Sequence, residues 1–312
     1  MKKIVVFNLI LILFVFFSLE LYFWDKMNKR YDYRFPFLKF AVGDTISDYP
    51  PKRFIPYKNE FKNKKPILLL GCSYAYGEFI DIKENFASKL SKYTNRWVYN
   101  LGEAGQGPIY SLMCLNKEKT EPLIDKKPEY IVYLYMFHHI NRYYFSEYYS
   151  YYREKNWIPF QKYNALDEFY TFSYFRNIQL ENYFSDDKNF EKRLKLFFNI
   201  LSEMKKISDE LYPNSKFVFL IYSDINFNLC NGLWASVNNE QYQMDKLFEI
   251  MNSDAFKQKI ASMGITVITT EELIGRKMSK ASDRAENDPH YPHPSPTAWD
   301  EITPKFIEYL KL

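Results

Sequence analysis

Residues 66–77 read Pro66-Ile-Leu-Leu-Leu-Gly71-Cys72-Ser73-Tyr74-Ala75-Tyr76-Gly77, and this stretch decides the fold. An unbroken apolar run between a proline and a glycine has the length of a strand. Its lack of alternation means that both faces are covered, as in the middle of a parallel sheet. A strand that ends in glycine can turn sharply and present the next polar side chain at the sheet edge. Ser73 would then stand near a helix N-terminus, where backbone N–H groups stabilise negative charge. Cys72 is a competing nucleophile. Neighbours on an extended segment point to opposite faces, so one of the two faces a site and the other does not.

The same rhythm continues downstream. Strands are predicted at Trp97–Leu101, Tyr130–Tyr135, Lys216–Tyr222 and Ile265–Thr269. Helices are predicted over Asn85–Tyr93, Pro108–Lys117, Asp186–Leu211, Gln243–Met263 and Pro296–Leu312. The clearest is Asp186–Leu211, where Phe190, Leu194, Phe197, Ile200, Leu201 and Met204 share one face. Strands alternating with helices imply an α/β fold with helices on both faces of a parallel sheet. Such sheets bind ligands at the carboxyl ends of their strands. Residues 141–185, crowded with Tyr and Phe and without glycine, break the rhythm and read as an insertion covering one end of the domain.

Composition excludes several classes. The 312 residues include 28 Phe, 28 Tyr and 5 Trp but 9 Gly, 4 His and 3 Cys. Three cysteines cannot staple a chain of this length, so it is not a disulfide scaffold, and Cys114 and Cys230 read as core residues. A hydrophobic content of 47% excludes bulk disorder. A net charge of +4, spread along the chain, is no nucleic-acid footprint. The scarce residues are concentrated. Gly71, Gly77, Gly102, Gly105 and Gly107 fall close together, and the histidines form two pairs, His138-His139 and His290/His293. Glycine is needed where backbone takes unusual angles or approaches a ligand closely, and histidine titrates near neutrality. Together they mark an active site.

Two further loops could carry chemistry. Asn100-Leu101-Gly102-Glu103-Ala104-Gly105-Gln106-Gly107-Pro108 follows a predicted strand and can offer backbone N–H groups to a developing negative charge. It lacks the spacing of dinucleotide and P-loop motifs. Asp288-Pro289-His290-Tyr291-Pro292-His293-Pro294-Ser295-Pro296-Thr297-Ala298-Trp299 places histidines in a proline-stiffened loop just before the last helix. A nearby Asp can orient such a His as a general base. His290, His293, Asp288 and the His138-His139 pair could gather around zinc. An HxxH in a proline-rich loop without a Cys or Glu cluster does not make that case, so no metal and no cofactor is expected.

Taken together, these three stretches resemble the SGNH/GDSL hydrolase superfamily. GCSYAYG (71–77) is similar to the family's first block in the variant where Cys replaces the Asp of Gly-Asp-Ser. NLGEAGQGP (100–108) is similar to the second block, and HPSPTAW (293–299) to the last. The resemblance spans roughly residues 65–135 and 215–312. It implies a three-layer α/β/α flavodoxin-like sandwich around a parallel sheet. It makes Ser73 the nucleophile and an oxyanion donor through its N–H, Gly105 a second donor, and His293 the base. Two departures stand out. The family's acid precedes its His by three residues, whereas here Asp288 lies two before His290 and five before His293, so Asp288 is the candidate acid and His290 the alternative base. The usual Gly-x-Asn-Asp block is replaced by Met136-Phe137-His138-His139-Ile140-Asn141-Arg142, where His139 or Asn141 would supply the third oxyanion donor.

The N-terminus, MKKIVVFNLILILFVFFSLELYFW, couples two lysines to an apolar run long enough to cross a bilayer, and lacks a small-residue cleavage site. It reads as an uncleaved single-pass anchor over residues 1–24, with the body on the periplasmic or extracellular side. Residues 25–64 read as a linker packing on the domain, and 65–312 as the SGNH-like domain. The expected activity is that of a serine esterase on ester-linked acyl groups, with acylated cell-envelope or extracellular glycan as the substrate class. An O-acyltransferase using the same site, or a degenerate domain that binds glycan or an assembly partner, is the alternative. The expected partners are an ester substrate and the membrane, with no nucleic acid.

Overall fold

A computed structural model of the chain describes residues 11–23, 25, 64–104, 106–115, 124, 126–136, 139–140, 190–223, 249–286 and 293–312. The chain divides into two compact units, residues 1–47 with 144–193 and residues 48–143 with 194–312. In the first unit residues 11–23 are helical, with Ile12, Phe14, Phe17 and Leu21 exposed. Among the described residues no helix is long and apolar enough to cross a membrane. The remainder of the predicted anchor (1–10 and 24), the predicted linker except residues 25 and 64, and the whole of the 141–185 insertion lie outside the described residues.

The second unit is built on a five-stranded sheet. The strands are β1 (Ile67–Gly71), β2 (Val98–Asn100), β3 (Tyr130–Tyr135), β4 (Lys216–Ile221) and β5 (Thr266–Thr269), in the order β2-β1-β3-β4-β5. Every pairing is parallel, with Ile67 opposite both Val98 and Tyr130, and Tyr130 opposite Lys216. β1, β2 and β3 are buried along their whole length, which explains why β1 and β3 run apolar or aromatic without alternating.

The helices in this unit are α1 (Ser73–Tyr76), α2 (Phe86–Thr94), α3 (Pro108–Cys114), α4 (Phe190–Leu211, which begins at the unit boundary), α5 (Asp254–Ala261), α6 (Thr270–Ile274) and α7 (Pro296–Leu310). Strand alternation sorts them into two layers. On one face Phe86 of α2 meets Trp299 and Phe306 of α7 at ring distances of 4.8 and 5.5 Å. Tyr130 donates its hydroxyl to Leu310 O on the same side. On the other face Tyr135 and Phe219 pack on Phe197 of α4 and Phe256 of α5. This is the expected three-layer arrangement around a parallel sheet. Two differences from the sequence expectation are local. The helix predicted over Gln243–Met263 is interrupted at Ser253, whose hydroxyl accepts from Phe256 N–H and starts α5. α6 was not anticipated, although Thr269 and Glu272 form a reciprocal capping box at its start.

Candidate active site

In the order β2-β1-β3-β4-β5 the chain reverses its direction of travel across the sheet between β1 and β3. A crevice opens at the carboxyl ends of strands flanking such a switch point. The segments leaving β1 and β3 are the ones that carry Ser73 and His139.

Gly71 makes the turn out of β1 at φ 148°. A Cβ there would meet Leu134 O at 2.8 Å and Ala75 Cβ at 2.9 Å, so the position accepts glycine alone. Cys72 caps α1, and Ser73 is its first residue, buried at 3% exposure. Because the helical turn begins at Ser73, strand alternation does not separate the two candidate nucleophiles. Both are buried, and Ser73 Oγ lies 3.8 Å from Cys72 Sγ. Ser73 O accepts from Gly77 N–H at 2.8 Å and Glu78 N–H at 3.0 Å, closing the turn tightly. Gly77 takes the left-handed conformation that ends it.

The loop after β2 is tied to this turn. Buried Asn100 donates from Nδ2 to Ala75 O at 2.7 Å and accepts from Gly102 N–H at 3.0 Å. Glu103 N–H reaches back to Gly71 O at 3.3 Å. A Cβ on Gly102 would fall 2.5 Å from Ala75 Cβ and 2.7 Å from Tyr76 N. Gly105, the expected oxyanion donor of this loop, lies outside the described residues.

After β3, His139 is fully buried, with Nδ1 2.7 Å from Tyr133 Oη. Its ring packs on Tyr133 and Tyr135 at 5.4 Å each. Asn141, Asp288 and His290 lie outside the described residues.

His293 is held from its own loop by backbone bonds. Its carbonyl accepts from Ala285 N–H at 2.9 Å, and Pro294 pairs antiparallel with Arg284. Ser295 follows, donating to Ser282 O at 2.5 Å and accepting from Ala298 N–H as the cap of α7. The segment these residues lean on is clamped in turn by buried Asp283, which accepts from Arg276 at 2.8 and 2.9 Å and from Lys280 N–H at 2.8 Å. Burial works against the charge on Asp283, but Arg276 and the Lys280 N–H outweigh it and hold the carboxyl below its usual range.

The His293 ring is buried against the Ser73 turn. It lies 5.2 Å from the Tyr74 ring and 5.0 Å from that of Phe79, and its Nε2 is 3.4 Å from Glu78 Oε2. Ser73 and His293 thus come from opposite ends of the domain sequence to adjoining positions, without a hydrogen bond between their side chains. Sequence reasoning missed Glu78 and Asn100. Asn100 opens a stretch that had been singled out, whereas nothing local marks Glu78 apart from its place after Gly77. Among the described residues no group of three or more His, Cys, Asp and Glu is arranged to hold a metal ion.

No protein-family model matches the chain, and no curated protein matches it. Solved structures do, at low identity. The structure of TesA is 13% identical, with 79% of this chain and 98% of that one covered and a TM-score of 0.43. A member of the lipolytic protein G-D-S-L family from Veillonella parvula is 11% identical over 80% of this chain and 99% of its own, with a TM-score of 0.44. A family two carbohydrate esterase from Cellvibrio japonicus is 12% identical over 80% of this chain and 62% of its own, with a TM-score of 0.39. These are proteins that the chain is similar to in the path of its backbone.

Proposed function

We propose that the chain is a serine esterase that cleaves ester-linked acyl groups, with Ser73 as nucleophile and His293 as general base. The observation that carries this reading is the packing of the His293 ring on Tyr74, the residue after Ser73, just past the carboxyl end of β1. In this reading Ser73 Oγ attacks the ester carbonyl and gives its proton to His293. The tetrahedral oxyanion is held by the N–H groups of Ser73 and Gly105 and by a side chain from His139 or Asn141. Collapse expels the alcohol, which takes the proton from the imidazolium and leaves the acyl group on Ser73. Water, activated by His293, then releases the acid. Asp288 is the carried-over acid, and His290 is the alternative base. A sugar hydroxyl in place of water would make the same site an O-acyltransferase.

The substrate class we favour is O-acylated cell-envelope or extracellular glycan, reached by an exported body on a single-pass anchor. Its support is the apolar, outward-facing helix at 11–23 and the many aromatic side chains, which stack on sugar rings. One observation favours a second reading, a domain that binds glycan or an assembly partner without turnover: Ser73 Oγ contacts Cys72 Sγ and forms no hydrogen bond to His293. The test is p-nitrophenyl acetate hydrolysis by the purified full chain beside Ser73→Ala, with fluorophosphonate labelling. The esterase reading expects labelling at Ser73 and a loss of about 1,000-fold or more in the variant. Absence of Ser73-dependent hydrolysis and of labelling would overturn the esterase reading.

A further inference from the structure

We propose that Glu78 is the carboxylate partner of His293, a positioning residue that the nucleophile's own turn delivers. The inference deepens the esterase reading and rests on it. The acid expected three residues before the base is absent, since position 290 is itself a histidine. What the structure sets against the buried His293 ring is Glu78, with Oε2 3.4 Å from Nε2.

The surrounding backbone is shaped to hold it there. Glu78 N–H is bonded to Ser73 O at 3.0 Å, so the carboxylate and the nucleophile share one rigid turn. Before it, Gly77 is in the left-handed region, and a Cβ there would strike Asn85 Cβ at 2.5 Å. After it, Phe79 is held at φ 65°, an uncommon conformation for a bulky residue, and its ring packs on His293. Strained backbone of this kind persists where surrounding contacts impose it, and it collects at functional sites. Two consecutive side chains therefore lie against the same imidazole, one through its carboxylate and one through its ring.

The chemistry follows. When His293 takes the Ser73 proton, the positive charge spreads over both ring nitrogens, and a carboxylate at either edge stabilises it. Among the described residues, the titratable or charged side chains set against the His293 ring or beside the residues paired with its loop are Tyr74 on α1, Glu78 in the turn, and Asp283 and Arg284. Asp283 is already occupied by Arg276. Among the described residues, Glu78 is thus the anion set against the ring.

The test compares the full chain with Glu78→Gln, Glu78→Asp and Asp288→Asn. The His293 ring protons are followed by NMR across pH and assigned with His293→Asn, a readout that needs no turnover. Glu78→Gln removes a charge that favours imidazolium, so the His293 titration moves to lower pH. In the esterase, kcat and the fluorophosphonate labelling rate fall about 10- to 100-fold at unchanged KM. The acidic limb of the rate profile shifts to lower pH in the same variant, and Glu78→Asp recovers part of the loss. An unmoved His293 titration, an unchanged kcat, or a gain in activity in Glu78→Gln at wild-type melting temperature would each overturn the proposal. Full activity in Ser73→Ala would instead overturn the esterase reading, leaving the NMR result to judge the pairing alone.

Discussion

Gly102 sits where a side chain cannot. The Cβ of an alanine would fall 2.5 Å from Ala75 Cβ and 2.7 Å from Tyr76 N, in the turn that carries Ser73. Backbone cannot yield as a flexible side chain can, so Gly102→Ala has to displace that turn. The expected cost is about 1–3 kcal/mol of stability, the range for overpacking a filled interior. Fluorophosphonate labelling of Ser73 should fall with it. Gly275 is the control: nothing lies within 4 Å of its would-be Cβ, but its φ is 70°. Gly275→Ala therefore pays only the left-handed backbone penalty of about 1–2 kcal/mol, and labelling stays at the wild-type rate. Denaturant unfolding and labelling rates on the two variants check this. Wild-type labelling in Gly102→Ala would remove the glycine from the support of the site. The concentration of glycines near Ser73 was legible in the sequence, but the reason for Gly102 was not. Its neighbours are some 27 residues away in sequence, brought close by the β1–β2 pairing.

At the scale of elements, the support of His293 is a segment rather than a residue. Arg276 bridges Asp283 and Glu301, joining the 276–286 segment to α7, while Asp283 also ties down Lys280 N–H. Asp283→Asn keeps the shape and removes the charge. Its expected cost is about 1–3 kcal/mol, typical of hydrogen bonds to charged groups. The sign with pH is set by the lowered folded pKa of Asp283. Its contribution is present above the unfolded value of about 3.9 and is lost as pH falls through the folded value. The gap between wild type and variant in denaturant midpoint should thus be open at pH 7 and close progressively below about pH 4. A gap of the same size at pH 3 would assign the effect to packing. The elements themselves were largely readable. β3 falls where its apolar run lies, and the four other strands fall within a residue of expectation at each end. Local signals also exist for α6, in the capping box Thr269-x-x-Glu272, and for the break at Ser253, which starts α5 inside the longer predicted helix. What no local signal could give was Glu78 against His293, because that contact depends on how the loop before α7 returns to α1.

For the whole molecule, the sheet order sets a switch point beside β1, from which Ser73 follows, and the same packing buries a tyrosine hydroxyl in the opposite layer. Tyr135 ends β3 at the carboxyl edge, but strand alternation turns its side chain toward α4 and α5, among Phe197, Phe219 and Phe256. It is fully buried, and its hydroxyl has no hydrogen-bond partner among the described residues. Burial pushes the phenol well above its ordinary pKa. A buried hydroxyl left unpaired costs about 1–3 kcal/mol, and the rings around it are mostly apolar, with His139 packed against the Tyr135 ring. Tyr135→Phe removes the hydroxyl and keeps the ring, so it should stabilise the fold by about 1–2 kcal/mol at pH 7. Alkali separates this from a simple packing gain. A group whose folded pKa is raised contributes stability that is full below its unfolded value, about 10 for tyrosine, and lost as pH rises through the folded value. Wild type should therefore lose stability above about pH 10 that the variant keeps, and the difference between their denaturant midpoints should widen from pH 7 to pH 10.5. Every other tyrosine is common to both proteins and cancels in that difference. A constant gap would mean that the Tyr135 hydroxyl reaches solvent or a partner before it ionises.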